Sequence, residues 1–360
     1  MSQIDRWLSE LLKRNGSDMH LIAGQYPRMR IDGELKIASE AMLSTQEAES
    51  LAGELLNERT RRRLEKEDGV DFAYQMEGAA RFRVNLFRHL GGLGLVMRAI
   101  PQVPRSLESL ELPSVIGSLC RHKQGLVLVT GKTGSGKSTT LAAMVDLINS
   151  SRRSHILTIE DPIEFLHQRK RSLISQREIG EHTPSFTAAL RSALREDPDV
   201  ILVGELRDYE TISLAVTAAE TGILVLGTLH TRRADLTVDR LINVFPAGKQ
   251  PQVRMMLSTS LRGVVAQQLV RRAGKEGRVA ATEILINTPA VSSLVRDGKI
   301  GQLETVIQSG ALMGMQTMDG DLRRLLDAGL IAGQEAYAHC THKDAFRNYL
   351  GVNGGSSLDT

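Results

Sequence analysis

Cysteine is nearly absent: Cys120 and Cys340 are the only two in 360 residues. They lie far apart, show no metal-ligand spacing and are too few for a four-cysteine zinc module. A disulfide framework is excluded with them, and a reducing compartment is expected. Long apolar runs are missing too. None approaches the roughly 18 residues that mark a membrane-crossing helix, and the opening MSQIDRWLSELLKR does not read as a signal peptide. The expectation is a cytoplasmic protein whose membrane contact goes through partners. Charge of one sign is not in excess either, since 45 Lys+Arg against 42 Asp+Glu leave +3. That balance gives no argument for nucleic acid as a partner. Internal repeats are not apparent. What remains is 41% hydrophobic and 24% charged, ordinary for a globular chain with two or three domains and a sizeable core.

Against this background stands Gly131-Lys132-Thr133-Gly134-Ser135-Gly136-Lys137-Ser138, which fits G-x-x-x-x-G-K-[ST]. Leu126–Val129 before it is an apolar run suited to a buried parallel strand, and Leu141–Val145 after it is good helix material. Glycines let the backbone curl so that successive N–H groups face phosphate oxygens, and the helix N-terminus adds its positive end. Lys137 is placed to reach the β- and γ-phosphates, and the Ser138 hydroxyl to ligate Mg²⁺. The nucleotide site is expected to comprise Gly131, Thr133, Gly134, Ser135, Gly136, Lys137, Ser138 and Thr139, with ATP and Mg²⁺ as its occupants.

Ahead of the loop, Ile4, Leu8, Leu11 and Leu12 recur at helical spacing with Trp7 beside them as core. Met19 to Lys36 reads as a hairpin turning at Asp32-Gly33, and Ser44 to Lys66 as helical. The Arg59, Arg61-Arg62-Arg63 cluster in that stretch reads as a solvated helix face. Alternation at Val70, Phe72, Tyr74 and Met76, then at Phe82, Val84 and Leu86, gives two strands. A third follows at Leu95-Val96-Met97. Residues 1–100 are therefore expected to form a small α+β domain with an antiparallel sheet. Pro101, Pro104 and Pro113 punctuate a linker over 101–113. An α/β domain with C-terminal helices is expected over 114–345, and a flexible tail over 346–360.

From Gly125 to His230 strand and helix patterns alternate, as in a parallel sheet. The strand candidates are Leu126–Thr130, Ile156–Glu160, Val200–Gly204 and Ile223–His230. Ligands collect at the carboxyl ends of such strands, so the polar residues there are suspects. In Glu160-Asp161-Pro162-Ile163-Glu164 two readings stand together. Asp161 can cap a helix with Glu164 completing a capping box, or Glu164 can orient or deprotonate an attacking water. Asp199–Glu205 resembles a Walker B strand, ending here in Glu205 rather than Asp. The longer arm suits a metal held through water, because Mg²⁺ sheds its hydration reluctantly. His230 closes its strand where it can meet the γ-phosphate or a nearby carboxylate. Beyond it, Pro251 to Leu261 reads as a helix, Val264–Arg272 and Arg278–Ile286 as a hairpin, and helices continue to about His339.

Together GKTGSGKSTT, ILTIEDPIEFLH, SALREDPDVILVGELRD and TAAETGILVLGTLHT, in this order, resemble the motifs of the secretion-type ATPases. Within that superfamily they look most like the type IV pilus retraction ATPases. The likeness runs from Gly16-Ser17-Asp18-Met19-His20-Leu21 to Gly314–Asp319. It implies a RecA-like P-loop ATPase domain preceded by a PAS-like domain, in a homohexameric ring acting on an inner-membrane pilus platform protein. It also implies Glu164 as catalytic base, Glu205 as Walker B acid and metal-side residue, and His230 as the His-box residue. Arginines supplied in trans are implied at Arg81, Arg83 and Arg98. Each of these could equally be an outward, solvated strand residue. Lys132 stands where the family usually has Pro, and Ile223 where it has a second His. Ala290-Val291-Ser292-Ser293-Leu294-Val295-Arg296-Asp297 departs from the family helix Ala-Ile-Arg-Asn-Leu-Ile-Arg-Glu by losing its Arg-Asn. This places unaided retraction in question and makes an accessory paralogue, working with a related retraction ATPase, an alternative. An export ATPase for pilus assembly or type II secretion uses the same fold, but such members are usually longer and often carry the tetracysteine module. A DNA translocase would use the same core and show DNA-stimulated, salt-sensitive hydrolysis. A scaffold that only binds ATP would not need Lys137, Glu164 and Glu205 intact.

Overall fold

The computed structural model describes residues 2–31, 33–76, 80–100, 104–274 and 276–350. The chain divides into two compact units, Met1–Val103 with Glu164–Leu166, and Pro104–Ile163 with His167–Thr360.

In the first unit Ser2 caps α1 (Gln3–Lys13) through a capping box with Asp5, a device that stabilises a helix start by about 1 kcal/mol. Three strands follow, β1 (Asp18–Ile22), β2 (Arg28–Ile31) and β3 (Glu34–Ile37), paired antiparallel in succession. The single hairpin expected over 19–36 is thus a three-strand meander; the expected turn residue Asp32 lies outside the described residues. The helical stretch is two helices, α2 (Thr45–Leu55) and α3 (Glu58–Leu64). It breaks because the Asn57 side chain accepts from the Thr60 N–H at 2.9 Å and starts a new helix there. Strands β4 (Gly69–Gln75), β5 (Arg81–His89) and β6 (Gly92–Ile100) complete a six-stranded sheet in the order β3-β2-β1-β6-β5-β4. Period-two alternation sends Met19, Leu21, Phe82, Val84, Leu95 and Met97 to one face, where they pack with Ile4, Leu8 and Leu11 of α1 and Leu51 of α2. Trp7 packs against this core, half-buried.

Of the expected linker, residues 101–103 lie outside the described residues. Its remainder is not a free spacer: Leu107 and Leu112 are buried among Ile116, Leu119 and Leu141 of the second unit. Apolar residues at that spacing find a core once the helix α4 (Ser114–Leu119) is in place.

The second unit is built on a seven-stranded sheet in the order β13-β12-β7-β11-β10-β8-β9. Its strands are β7 (Gly125–Thr130), β8 (His155–Glu160), β9 (Leu173–Glu178), β10 (Val200–Val203), β11 (Leu224–Leu229), β12 (Leu261–Arg271) and β13 (Arg278–Ile286). All neighbours are parallel except the hairpin β12–β13, so the sheet is mixed. β7, β10 and β11 are buried along their whole length, as expected for strands covered on both faces. The helices α5 (Lys137–Ser151), α6 (Phe186–Ala193), α7 (Tyr209–Glu220), α8 (Ala234–Asn243) and α9 (Gln250–Ser260) connect them. Then α10 (Pro289–Asp297), α11 (Leu303–Ser309), α12 (Met318–Asp327) and α13 (Gly333–His339) follow the hairpin. Of the tail expected over 346–360, residues 346–349 belong to a 3-10 helix. That helix, Lys343–Tyr349, buries Phe346 with Leu322 and Leu325; residues 351–360 lie outside the described residues. Among the described residues no helix is long and apolar enough to cross a membrane.

Candidate nucleotide site

The sheet order sets out the site. β7, β11, β10 and β8 are consecutive neighbours and parallel, so the residues following each strand stand in a row at the carboxyl edge: the glycine loop, His230, Glu205 and Glu160. A topology that turns apolar runs into adjacent parallel strands makes such a row unavoidable.

The loop itself has the backbone that the glycines permit. Gly131, Gly134 and Gly136 have φ of 141°, 79° and 87°. At Gly131 a Cβ would fall 2.3 Å from the Gln267 carbonyl oxygen, and at Gly136 it would fall 2.8 Å from the Gln267 amide nitrogen. Gly131 therefore excludes a side chain on steric as well as conformational grounds, and Gly136 on conformational ones. The Lys137 ammonium reaches back across the loop to the carbonyls of Gly131 and Lys132 at 2.9 and 3.1 Å. Thr133 and Gly134 are exposed, while Ser138 and Thr139 are half-buried on the first turn of α5. The Ser135 hydroxyl is buried and has no hydrogen-bond partner among the described residues. A glycine cradle, a cation folded over it and an orphaned buried hydroxyl fit an anionic, oxygen-rich ligand such as a nucleotide phosphate tail.

Glu205 is pinned from both sides. The Gly204 N–H donates to the Ile159 carbonyl at 2.8 Å and the Leu206 N–H to the Thr228 carbonyl at 3.0 Å, tying it between β8 and β11. Its carboxylate meets His230 Nε2 at 3.1 Å and the Arg207 guanidinium at 2.8 Å. Burial opposes its ionisation, yet the hydrogen bond and charge of Arg207, with His230 behind them, hold its pKa below the usual carboxylate range. The structure thus joins His230 to Glu205, one of the alternatives open from the sequence. Arg207 was missed, although it stands two residues beyond Glu205 in the same motif.

Around Glu164 the structure corrects an expectation. No helix begins at Asp161. Residues 163–169 are irregular after a cis Asp161–Pro162 bond. Of the N–H groups that a cap would have served, that of Ile163 donates to the Glu178 carboxylate of β9 at 3.2 Å, and farther along His167 donates to the Gln176 side chain at 2.9 Å. Glu164 therefore opens no helix, and it is exposed. Glu160, at the end of β8, accepts from the Thr158 hydroxyl at 2.6 Å and from Gln176 at 3.3 Å.

Arg81, Arg83 and Arg98 lie on the first unit's sheet, on the face turned away from α1 and α2. Arg83 and Arg98 are directly opposed across β5 and β6, and Asp18 is opposed to Arg98 across β1. Arg98 holds the buried Asp18 at 2.7 Å, and Arg83 approaches Asp71 at 3.6 Å. Both guanidiniums remain largely open to solvent, which is what a strand residue needs if it is to serve another chain. Among the described residues no cluster of three or more His, Cys, Asp or Glu side chains could hold a metal ion alone.

A parallel sheet with a glycine loop after one strand and an acid after the next strand but one defines a P-loop nucleotide-binding protein with a RecA-like core. Residues 1–318 match the family described as type II/IV secretion system protein, and the chain belongs to that family. It is 49% identical over 333 residues to the type IV pilus retraction ATPase PilT of Pseudomonas aeruginosa, covering 91% of this chain and 96% of the relative. To the type IV pilus ATPase PilU of the same organism it is 38% identical over 357 residues, covering 99% and 94%. Among solved structures, the crystal structure of the pilus retraction motor PilT with bound ADP superposes with a TM-score of 0.89. That pair is 43% identical, and the match covers 96% of this chain and 99% of that one.

Proposed function

We propose that this protein is an ATPase that powers type IV pilus retraction and twitching motility. The observation that carries the reading is the near-full-length identity of 49% to a retraction ATPase, in a chain whose loop, Glu205 and His230 share one sheet edge. The reaction is phosphoryl transfer from ATP to water, in which little covalent chemistry falls to the protein and positioning with charge neutralisation dominates. The backbone N–H groups of Gly134 to Ser138 hold the phosphates and Lys137 offsets their charge. Glu164 takes the proton of the attacking water, and His230 senses the γ-phosphate while hydrogen-bonded to Glu205. Ser138 and Glu205 are the residues that would hold a magnesium ion, which would supply further positive charge to the phosphates.

The first unit reads as the PAS-like domain, the second as the ATPase domain, and the working form as a homohexameric ring in the cytoplasm. Its partners are an inner-membrane pilus platform protein and a paralogous retraction ATPase, with membrane contact only through them and no nucleic acid. Loss of a phosphate that bridges elements would shift their populations and so do mechanical work. Deleting the gene and counting surface filaments tests the direction of that work. Excess filaments are the expected result; a strain without filaments would instead mark an assembly ATPase.

A further inference from the structure

Gln267 of β12 hydrogen-bonds the phosphate loop with one end of its amide and the following helix α5 with the other. β12 runs parallel to β7 with Ala266 opposite Thr130, so Gln267 is the next residue, level with the start of the loop. It is 2% exposed, next to the buried apolar run Val264-Val265-Ala266 of the strand. Its Nε2 donates to the Ser135 carbonyl at 2.8 Å, and its Oε1 accepts from the Thr140 hydroxyl at 2.8 Å. The orientation of the amide is settled by chemistry: a carbonyl only accepts, so the NH₂ end must face Ser135.

We infer that Gln267 is a positioning residue for phosphate binding, acting through the Ser135–Gly136 peptide. In a planar trans peptide the N–H points opposite to the C=O. Drawing the Ser135 carbonyl down onto Gln267 therefore turns the Gly136 N–H away from β12, to the side of the loop where Thr133 and Gly134 are open to solvent. The second bond, to Thr140 on the first turns of α5, fixes the same amide against the helix that the loop leads into. Loop and helix are thereby held in one orientation before any ligand arrives, which lowers the ordering cost of binding. The neighbouring Gln268 faces the other way and meets His339 of α13 at 3.0 Å, so only one of the two glutamines bears on the loop.

This inference rests on Gly131–Ser138 being the phosphate site, and the experiment separates the two. ADP affinity is measured by calorimetry, and thermal unfolding without nucleotide, on the full chain and three variants: Lys137→Ala, Gln267→Met, and Gln267→Met combined with Thr140→Val. Gln267→Met is close in size but removes donor and acceptor, and should weaken ADP binding about 10-fold and lower the unfolding temperature. In the double variant the Thr140 hydroxyl is no longer left without its acceptor, so the unfolding temperature should recover toward the parent while ADP affinity stays low. A merely structural glutamine would give the opposite: affinity returning with stability. That result, or ADP binding by Gln267→Met equal to the parent, overturns the inference. Should the single variant fail to fold, the double variant alone decides. If Lys137→Ala binds ADP as the parent does, the phosphate-site reading itself is wrong; if it does not, a normal Gln267→Met removes only the role of Gln267.

Discussion

Glu205 and His230, 25 residues apart on neighbouring strand ends, face each other at 3.1 Å, and the second Glu205 oxygen holds Arg207 at 2.8 Å. The contact makes Glu205 and His230 one unit, so a change at either is felt by both. Glu205→Gln keeps the shape and removes the charge. Nucleotide binding should persist while kcat falls about 10²–10³-fold, as when a preorganised electrostatic group is lost. The same residue has a pH signature. Its folded pKa lies below the unfolded one, so its contribution to stability is full above the unfolded value near 4 and lost as pH falls through the folded value. Urea midpoints of the parent and Glu205→Gln should therefore differ at neutral pH and converge as pH falls through the folded value. A gap that stays constant would remove the assigned ionisation.

Glu164 stands in an irregular segment rather than at a helix start, with the nearby Ile163 and His167 N–H groups served by Glu178 and Gln176. Glu164→Gln should leave ADP affinity intact and reduce turnover about 10²–10⁴-fold, the usual weight of a general base. Lys137→Ala should remove hydrolysis and weaken binding as well, because the principal protein cation on the phosphates is gone. Steady-state kinetics with a parallel binding measurement distinguishes the two patterns. An unchanged kcat in Glu164→Gln would end its catalytic assignment.

How much of this was legible in the sequence depended on whether the cause was local. β7, β10 and β11 are continuous apolar runs that need burial on both faces, so they declare themselves. β9, with Gln176, Arg177 and Glu178 at the sheet's edge, carries no such run and was not foreseen. The Asp-Pro-x-Glu pattern at 161–164 is a sound local helix start overruled by partners on another strand. Gln267 gave a faint signal, a Gln-Gln pair in an apolar strand. Its meaning rests on Ser135 and Thr140, 132 and 127 residues away.

The helix that departs from its family pattern, α10, is seated by the substituted residue. Ser292 donates to the Ser258 carbonyl of α9 at 2.6 Å, with Val291 and Val295 buried beside it. Arg296 reaches the Ser293 hydroxyl at 3.3 Å and Asp297 at 3.7 Å. Contacts that an Arg-Asn pair would offer at 292 and 293 are missing. We expect retraction to depend on a paralogous ATPase. Expressed as the only retraction-type ATPase in a pilus-bearing host, this chain should leave twitching zones small, and adding the paralogue should restore them. Full twitching by the chain alone would show the substitution to be harmless.

The catalytic site is expected to be shared between neighbouring subunits. The loop, Glu164, Glu205 and His230 contribute one lysine and a metal-side acid, which leaves transition-state charge on the γ-phosphoryl oxygens. Phosphotransfer enzymes commonly add an arginine there, often from another chain, with effects of about 10³–10⁵ on rate. Arg81 and Arg83 alternate with the buried Phe82 on β5 and so share a face, with Arg98 opposite Arg83 on β6. Asp18 steadies Arg98 from below: burial opposes its charge, but Ser17 and Arg98 hold its pKa below the usual range. A side chain held at its base with its guanidinium open to solvent is pre-set for an incoming phosphate. The measurement is subunit mixing. Subunits with Arg81→Ala and Arg83→Ala should be inactive alone, as should subunits with Lys137→Ala. Mixed rings should regain activity, since an intact loop then meets intact arginines across some interfaces. With random assembly at equal amounts about a quarter of interfaces pair the two intact halves, which bounds the recovery near 25% of the parent rate if each site fires on its own. Mixtures that co-assemble yet never exceed the sum of the two inactive preparations would place all catalytic charge within one chain.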